Sequence, residues 1–212
     1  TQEAYNYGIV GCVEPSVPGK EYGHTEGFRI NWVKILELML HGGTCPVTGE
    51  YYALQEQHDL EEFQTFEPFY QWLLREFAYA ERVGIEYLQM ADAQFATFWP
   101  TPYVSSLMDG CLEKGRDVTA GGTGLNLSTI NAPGMANLVD SLVAIRDGVF
   151  RHHWLSLTEF PDILRADFKG YEALQSRLSR LPKYGNGIEE IDAIYRELSD
   201  LFIDVAEPYV NP

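Results

Sequence analysis

The longest uninterrupted pattern in this chain sets the terms for its fold: a helical period running from about Glu67 to Phe98. Apolar residues return every three or four positions, and Phe69, Trp72, Phe77, Tyr87 and Phe95 supply much of the face to be buried. Shorter helical patterns surround it. INWVKILELMLHGG, from Ile30, stops at Gly42 and Gly43, and Thr101-Pro102 reads as an N-cap and first helical residue opening a helix to Gly115. MANLVDSLVAIRDGVF forms another, and three more span Thr158 to Ala166, Tyr171 to Leu181 and Glu189 to Glu207. Only two stretches read as strands, Tyr7 to Gly11 and TGLNLSTI at 123–130. Strand, loop and long helix in alternation predict an α/β fold, its strands destined for a parallel or barrel-like sheet. Two strands cannot complete that sheet, and the sequence opens on TQEAYN without a methionine, so the chain reads as a piece cut from something longer. No internal repeat, low-complexity tract or linker is visible.

With 212 residues, 45% of them hydrophobic and 13% aromatic, the chain can bury a sizeable core. Its formal charge of −16 repels phosphate backbones and anionic lipid, which argues against nucleic acid and membrane surfaces as partners. No apolar run approaches the roughly 20 residues of a membrane helix, and no signal peptide is visible. Cys12, Cys45 and Cys111 form no CxxC pair and are odd in number, which points to a reducing compartment, the cytoplasm, rather than a disulfide framework.

The chemistry-bearing candidates begin at the first strand, which ends in Gly11-Cys12-Val13-Glu14-Pro15. If the strand persists past Gly11, Cys12 and Glu14 point to the same side, a thiol and a carboxylate facing one cavity. On spacing alone the plainer reading, a structural cysteine beside a surface glutamate, is preferred. A thiolate nucleophile wants a cationic neighbour, and an acid opposes it. The pair suits a sulfur that carries hydrogen atoms without charge, while the carboxylate takes a proton separately. Elsewhere, Gly121, Gly122 and Gly124 lack the dinucleotide-binding spacing. Ser128 and Asn131, at the end of the second strand, either reach the same cavity or simply pack a loop. The pair His152-His153 has no second ligand cluster, so no metal site is expected. Cys45 and Cys111 read as structural thiols.

Three blocks carry a resemblance: GCVEPSVPGKEYG, GGTGLNLSTINAPGMANLVDSLVAIRDGVF and DFKGYEALQSRLSRLPKYGN. Together and in this order they resemble the glycyl radical enzymes, the superfamily of pyruvate formate-lyase, over residues 7 to about 202. The resemblance implies a ten-stranded α/β barrel several times longer than this chain, which would be part of a single catalytic domain truncated at both ends. Cys12 matches the cysteine that becomes a thiyl radical, and Glu14 the acid that acts as base in the dehydratase, lyase and decarboxylase branches. The formate-lyase branch has two adjacent cysteines, whereas Gly11 precedes Cys12 here. Burial raises the pKa of such a base toward a useful value, and both groups then need one dry cavity. At His24-Thr25-Glu26 the dehydratase branch leads one to expect Trp-His-Asp. Glu26 matches the acid that holds substrate hydroxyls, and His24 replaces the aromatic; a solvated loop is the alternative.

The family's radical-storing RVxGY-like motif does not occur in the sequence, so the glycyl radical would lie outside the chain and the piece alone is expected to be inactive and prone to aggregate. The resemblance further implies a small-molecule substrate of the polyol or amino-alcohol type, anaerobic life, a radical S-adenosylmethionine activating enzyme as partner and a homodimer. Decarboxylation of an arylacetate is the alternative within the family, and a non-catalytic helical scaffold the alternative outside it.

Overall fold

The computed structural model describes residues 3–11, 14–23 and 27–211. In chain order the first elements are α1 (Glu3–Asn6), β1 (Gly8–Val10), β2 (Glu14–Ser16), β3 (Glu21–Tyr22), β4 (Phe28–Arg29), α2 (Trp32–Leu40) and α3 (Phe66–Phe98). Then follow α4 (Pro102–Ser105), α5 (Cys111–Lys114), β5 (Leu125–Asn126), β6 (Ile130–Asn131), α6 (Met135–Ile145), α7 (Phe160–Arg165), α8 (Glu172–Ser179) and α9 (Glu189–Ala206). They gather into two compact units: residues 1–30, 82–131 and 206–212 form one, and residues 31–81 and 132–205 the other.

The second unit is helical. Asn31 caps α2, its side chain accepting the Lys34 N–H at 3.1 Å. The helix opens on Trp32, whose ring lies 4.4 Å from Phe77 and 5.8 Å from Phe202. Phe69, Trp72, Leu73 and Phe77 from α3 are buried, as are Leu138, Leu142 and Ile145 from α6 and Ile191 and Leu198 from α9. Glu76 is buried among them and accepts three hydrogen bonds, from the Gln55 and Glu56 N–H groups at 2.9 and 2.8 Å and from Trp72 Nε1 at 3.1 Å. Past Ile145 the helix continues as one π-helical stretch, Arg146–Arg151, in which buried Asp147 pairs with Arg146 at 2.8 Å and Arg151 at 3.1 Å.

In the first unit the long helical period behaves differently. Tyr87 and Phe95, expected on the buried face, are 59% and 41% exposed, while Ile85 and Leu88 are buried. At about 100° per residue the stripe through Ile85, Leu88 and Asp92 leaves Tyr87 on the opposite side of the helix. The single helix expected from Pro102 to Gly115 is two short ones, interrupted where Gly110 takes φ +94° and the Asp109 N–H donates to Gly19 O at 2.7 Å. Thr101 starts the first without capping it. Its N–H and hydroxyl, and the Ser105 hydroxyl, donate to Asp117 instead.

The strand expected over 123–130 is also two, β5 and β6, and each pairs in parallel with a piece of the early loop. Glu21 lies opposite Leu125 and Phe28 opposite Ile130. The offsets are 125 − 21 = 104 and 130 − 28 = 102, so the early segment holds two more residues than its partner between the pairings. The two pairings are thus out of register with each other and do not form one continuous ladder. Gly23 stands where the surplus begins, and a Cβ built there would fall 1.6 Å from the Leu127 carbonyl oxygen, so the backbones meet at a distance only glycine permits.

Candidate active site

β1 and β2 form an antiparallel hairpin with Gly8 opposite Ser16, Ile9 opposite Pro15 and Val10 opposite Glu14. The condition that would set Cys12 and Glu14 on one side, a strand persisting past Gly11 through to Glu14, is not met. Gly11 takes φ +62°, the chain reverses, and Glu14 already belongs to the returning strand. Cys12 itself, like His24 and Glu26, lies outside the described residues.

The polarity of this hairpin is inverted. Glu14 is only 8% exposed, whereas Ile9 and Val10 are 56% and 46% exposed. A carboxylate is costly to bury, yet here the acid is the hidden side chain of the hairpin while its apolar neighbours are bare. Its carboxylate folds back against the α-carbon of Gly11.

Ser128 and Asn131 sit on the β5–β6 segment. The Ser128 hydroxyl donates to Asp92 Oδ2 at 2.6 Å and accepts from Asn211 Nδ2 at 3.2 Å, while Asn211 also donates to Asn126 O at 2.7 Å. Ser128, Asn126 and Asn211 share a surface recess of about 510 Å³ with Lys114 and Thr123. Asn131 pairs with Arg29, and its carbonyl accepts the Ile30 N–H at 2.8 Å. Asp92 and Gly23 escape a reading by motif. Asp92 had a signal, since it falls on the stripe set by Ile85 and Leu88 where an apolar residue is the rule.

The two described cysteines differ. Cys111 is buried, and burial pushes its thiol up. Cys45 is also buried but has its thiol lowered to about 7, first by the Thr48 hydroxyl and then by the Thr48 and Val47 N–H groups, with Lys34 Nζ 3.3 Å away. His152 stacks on Trp154 at 4.9 Å. Among the described residues no cluster of three His, Cys, Asp or Glu could hold a metal ion, and no helix is long and apolar enough to cross a membrane.

A family model described as pyruvate formate lyase-like matches residues 1–212. Trans-4-hydroxy-L-proline dehydratase of Clostridioides difficile is 33% identical over 92% of the chain, which spans 25% of that protein. The (2S)-3-sulfopropanediol dehydratase of Klebsiella oxytoca is 29% identical over 95% of the chain, which spans 24% of it. Among solved structures, the glycerol-bound B12-independent glycerol dehydratase from Clostridium butyricum matches all of the chain with a TM-score of 0.88 at 32% identity, over 26% of its own length. The chain thus spans about a quarter of the length of the curated relatives it matches.

Proposed function

The chain belongs to the pyruvate formate lyase-like family of glycyl radical enzymes, and from that premise we propose that it forms the central part of a dehydratase or lyase acting on a small polyol or amino alcohol. Its fold is a helix-rich portion of the family's ten-stranded α/β barrel. The observation that carries the reading is the buried Glu14, two residues after Cys12 and on the returning strand of the hairpin.

In this reading Cys12, as a thiyl radical, takes a hydrogen atom from the substrate carbon that bears a hydroxyl. Glu14 accepts the hydroxyl proton, and the resulting ketyl-type radical anion expels a neighbouring group, either an ammonium group as the neutral amine or a hydroxyl that takes the proton back from Glu14 and leaves as water. The product radical then recovers a hydrogen atom from the Cys12 thiol, which closes the cycle. A base so placed acts only within hydrogen-bond reach of the hydroxyl, and exclusion of water protects the radical. In the same reading Glu26 holds a second substrate hydroxyl or a cationic amine, and His24 is assigned to substrate binding. Gly11, standing where the formate-lyase branch has a second cysteine, argues against acyl transfer. The radical is stored on a glycine outside this chain and installed by a radical S-adenosylmethionine activating enzyme, and the whole enzyme is a cytoplasmic homodimer working without oxygen.

The test is Cys12→Ser in the full-length protein. Turnover is expected to vanish while the glycyl radical signal in electron paramagnetic resonance persists, and loss of that signal would sink the assignment. Offering the activated enzyme glycerol, 1,2-propanediol, choline, trans-4-hydroxy-L-proline and arylacetates separates dehydration, amine elimination and decarboxylation.

A further inference from the structure

Positive φ is common in this molecule, and at most turns it is reason enough for glycine. Gly19, Gly42 and Gly49 have φ of +78°, +59° and +72°, and a Cβ added to any of them would meet nothing within 4 Å. Gly11 differs. At φ +62° a Cβ there would fall 2.6 Å from Glu14 Oε2, 3.3 Å from its Cδ and 3.7 Å from Oε1. All three nearest atoms belong to one carboxylate, unlike those at Gly23, where the obstruction is the Leu127 backbone. Glu14 is thus seated in space that exists because residue 11 has no side chain.

We propose that Gly11 is a positioning residue for the reaction assigned above, its bare α-carbon forming the seat of the Glu14 carboxylate. A side chain at position 11 and a carboxylate in this pose exclude one another. Ordinary contact begins near 3.4 Å, so even a methyl group displaces Oε2 by about 3.4 − 2.6 = 0.8 Å. Displacement of a reacting group on the order of 1 Å costs about 10²-fold in rate. The left-handed backbone at Gly11 is a separate matter, because strain there bears on folding and not on where the carboxylate lies.

The inference rests on Glu14 being the base, and three variants of the full-length enzyme keep the two claims apart. Gly11→Ala is expected to keep the glycyl radical signal, to lower kcat about 10²-fold and to change KM much less. Gly11→Asn tolerates left-handed backbone while still carrying a Cβ, and it should lose kcat to a similar extent. Where the alanine variant does not fold, the asparagine variant carries the test alone. A crystal structure of whichever folds should show the Glu14 carboxylate rotated off residue 11. Kinetics within about threefold of wild type in either variant, activity in Gly11→Asn but not in Gly11→Ala, or an unmoved Glu14 would each overturn the proposal. If Glu14→Gln retains full turnover, the functional reading itself falls, and this inference with it. If Glu14→Gln is inactive while Gly11→Ala is active, only the role of Gly11 falls.

Discussion

In the helical unit the least exposed large side chains are apolar, or like Glu76 receive three hydrogen bonds, whereas in the β1–β2 hairpin the least exposed side chain is an acid and its apolar neighbours face solvent. The two regions hide carboxylates for different ends. Glu76 gathers N–H donors from a loop and an indole, so it ties the residues around 55 to α3. Glu14 rests on a glycine α-carbon one residue from a thiol. In the function proposed above only Glu14 meets substrate, so burial alone does not tell the two acids apart.

The largest effect should come from exchanging the acids for amides. Glu14→Gln in the full-length enzyme should lower kcat by roughly 10²- to 10⁴-fold with little change in melting temperature. Glu76→Gln should do the reverse, costing about 1–3 kcal/mol by denaturant titration with kcat unaltered. A loss of turnover in the Glu76 variant would erase the distinction between the two acids. Next in size is packing. Leu142, fully buried on α6, should cost about 2–5 kcal/mol as Leu142→Ala, while bare Val10 should tolerate threonine within about 0.5 kcal/mol. A third test uses pH. Glu81 is buried, its Oε1 has no hydrogen-bond partner among the described residues, and burial pushes the acid from 4.5 up to about 8. An acid raised by folding stabilises fully below the unfolded value near 4.5, and that contribution is lost as pH rises through about 8. Across that window stability should fall by up to ~1.4 kcal/mol per pH unit, and Glu81→Gln should flatten the slope. The smallest effect is the cap: Asn31→Ala should cost about 1 kcal/mol, read as a lower melting temperature.

The helices were legible because packing and periodicity agree: α3 runs Phe66–Phe98 against an expectation of Glu67 to Phe98, and α9 runs Glu189–Ala206. Where periodicity misleads, a non-local partner intervenes. Asp117 draws off the donors of Thr101 and Ser105, and the Asp109 N–H turns to Gly19, so Pro102 to Gly115 cannot close as one helix. Tyr87 fits a helical period but belongs to a face the helix leaves bare. At the site, the order along the chain shows a cysteine two residues before an acid, and the structure adds where that acid lies. That placement could not be read from the sequence, because it depends on the backbone reversal at Gly11 and on a carboxylate folding back across it. Nor does any local pattern announce that Ser128 is held by Asp92 and Asn211, residues 36 and 83 positions away.

The unequal register of the two parallel pairings also bears on where this stretch of chain can change in length. Tyr22 O is held by the Leu127 N–H at 3.1 Å, and the Phe28 N–H by Thr129 O at 3.3 Å, so both ends are anchored independently of what joins them. Lengthening a loop between fixed anchors costs little, on the order of 0.6 kcal/mol for each doubling. The span between Gly23 and Phe28, with Gly23 itself kept, is therefore the place where a change of length costs the fold least.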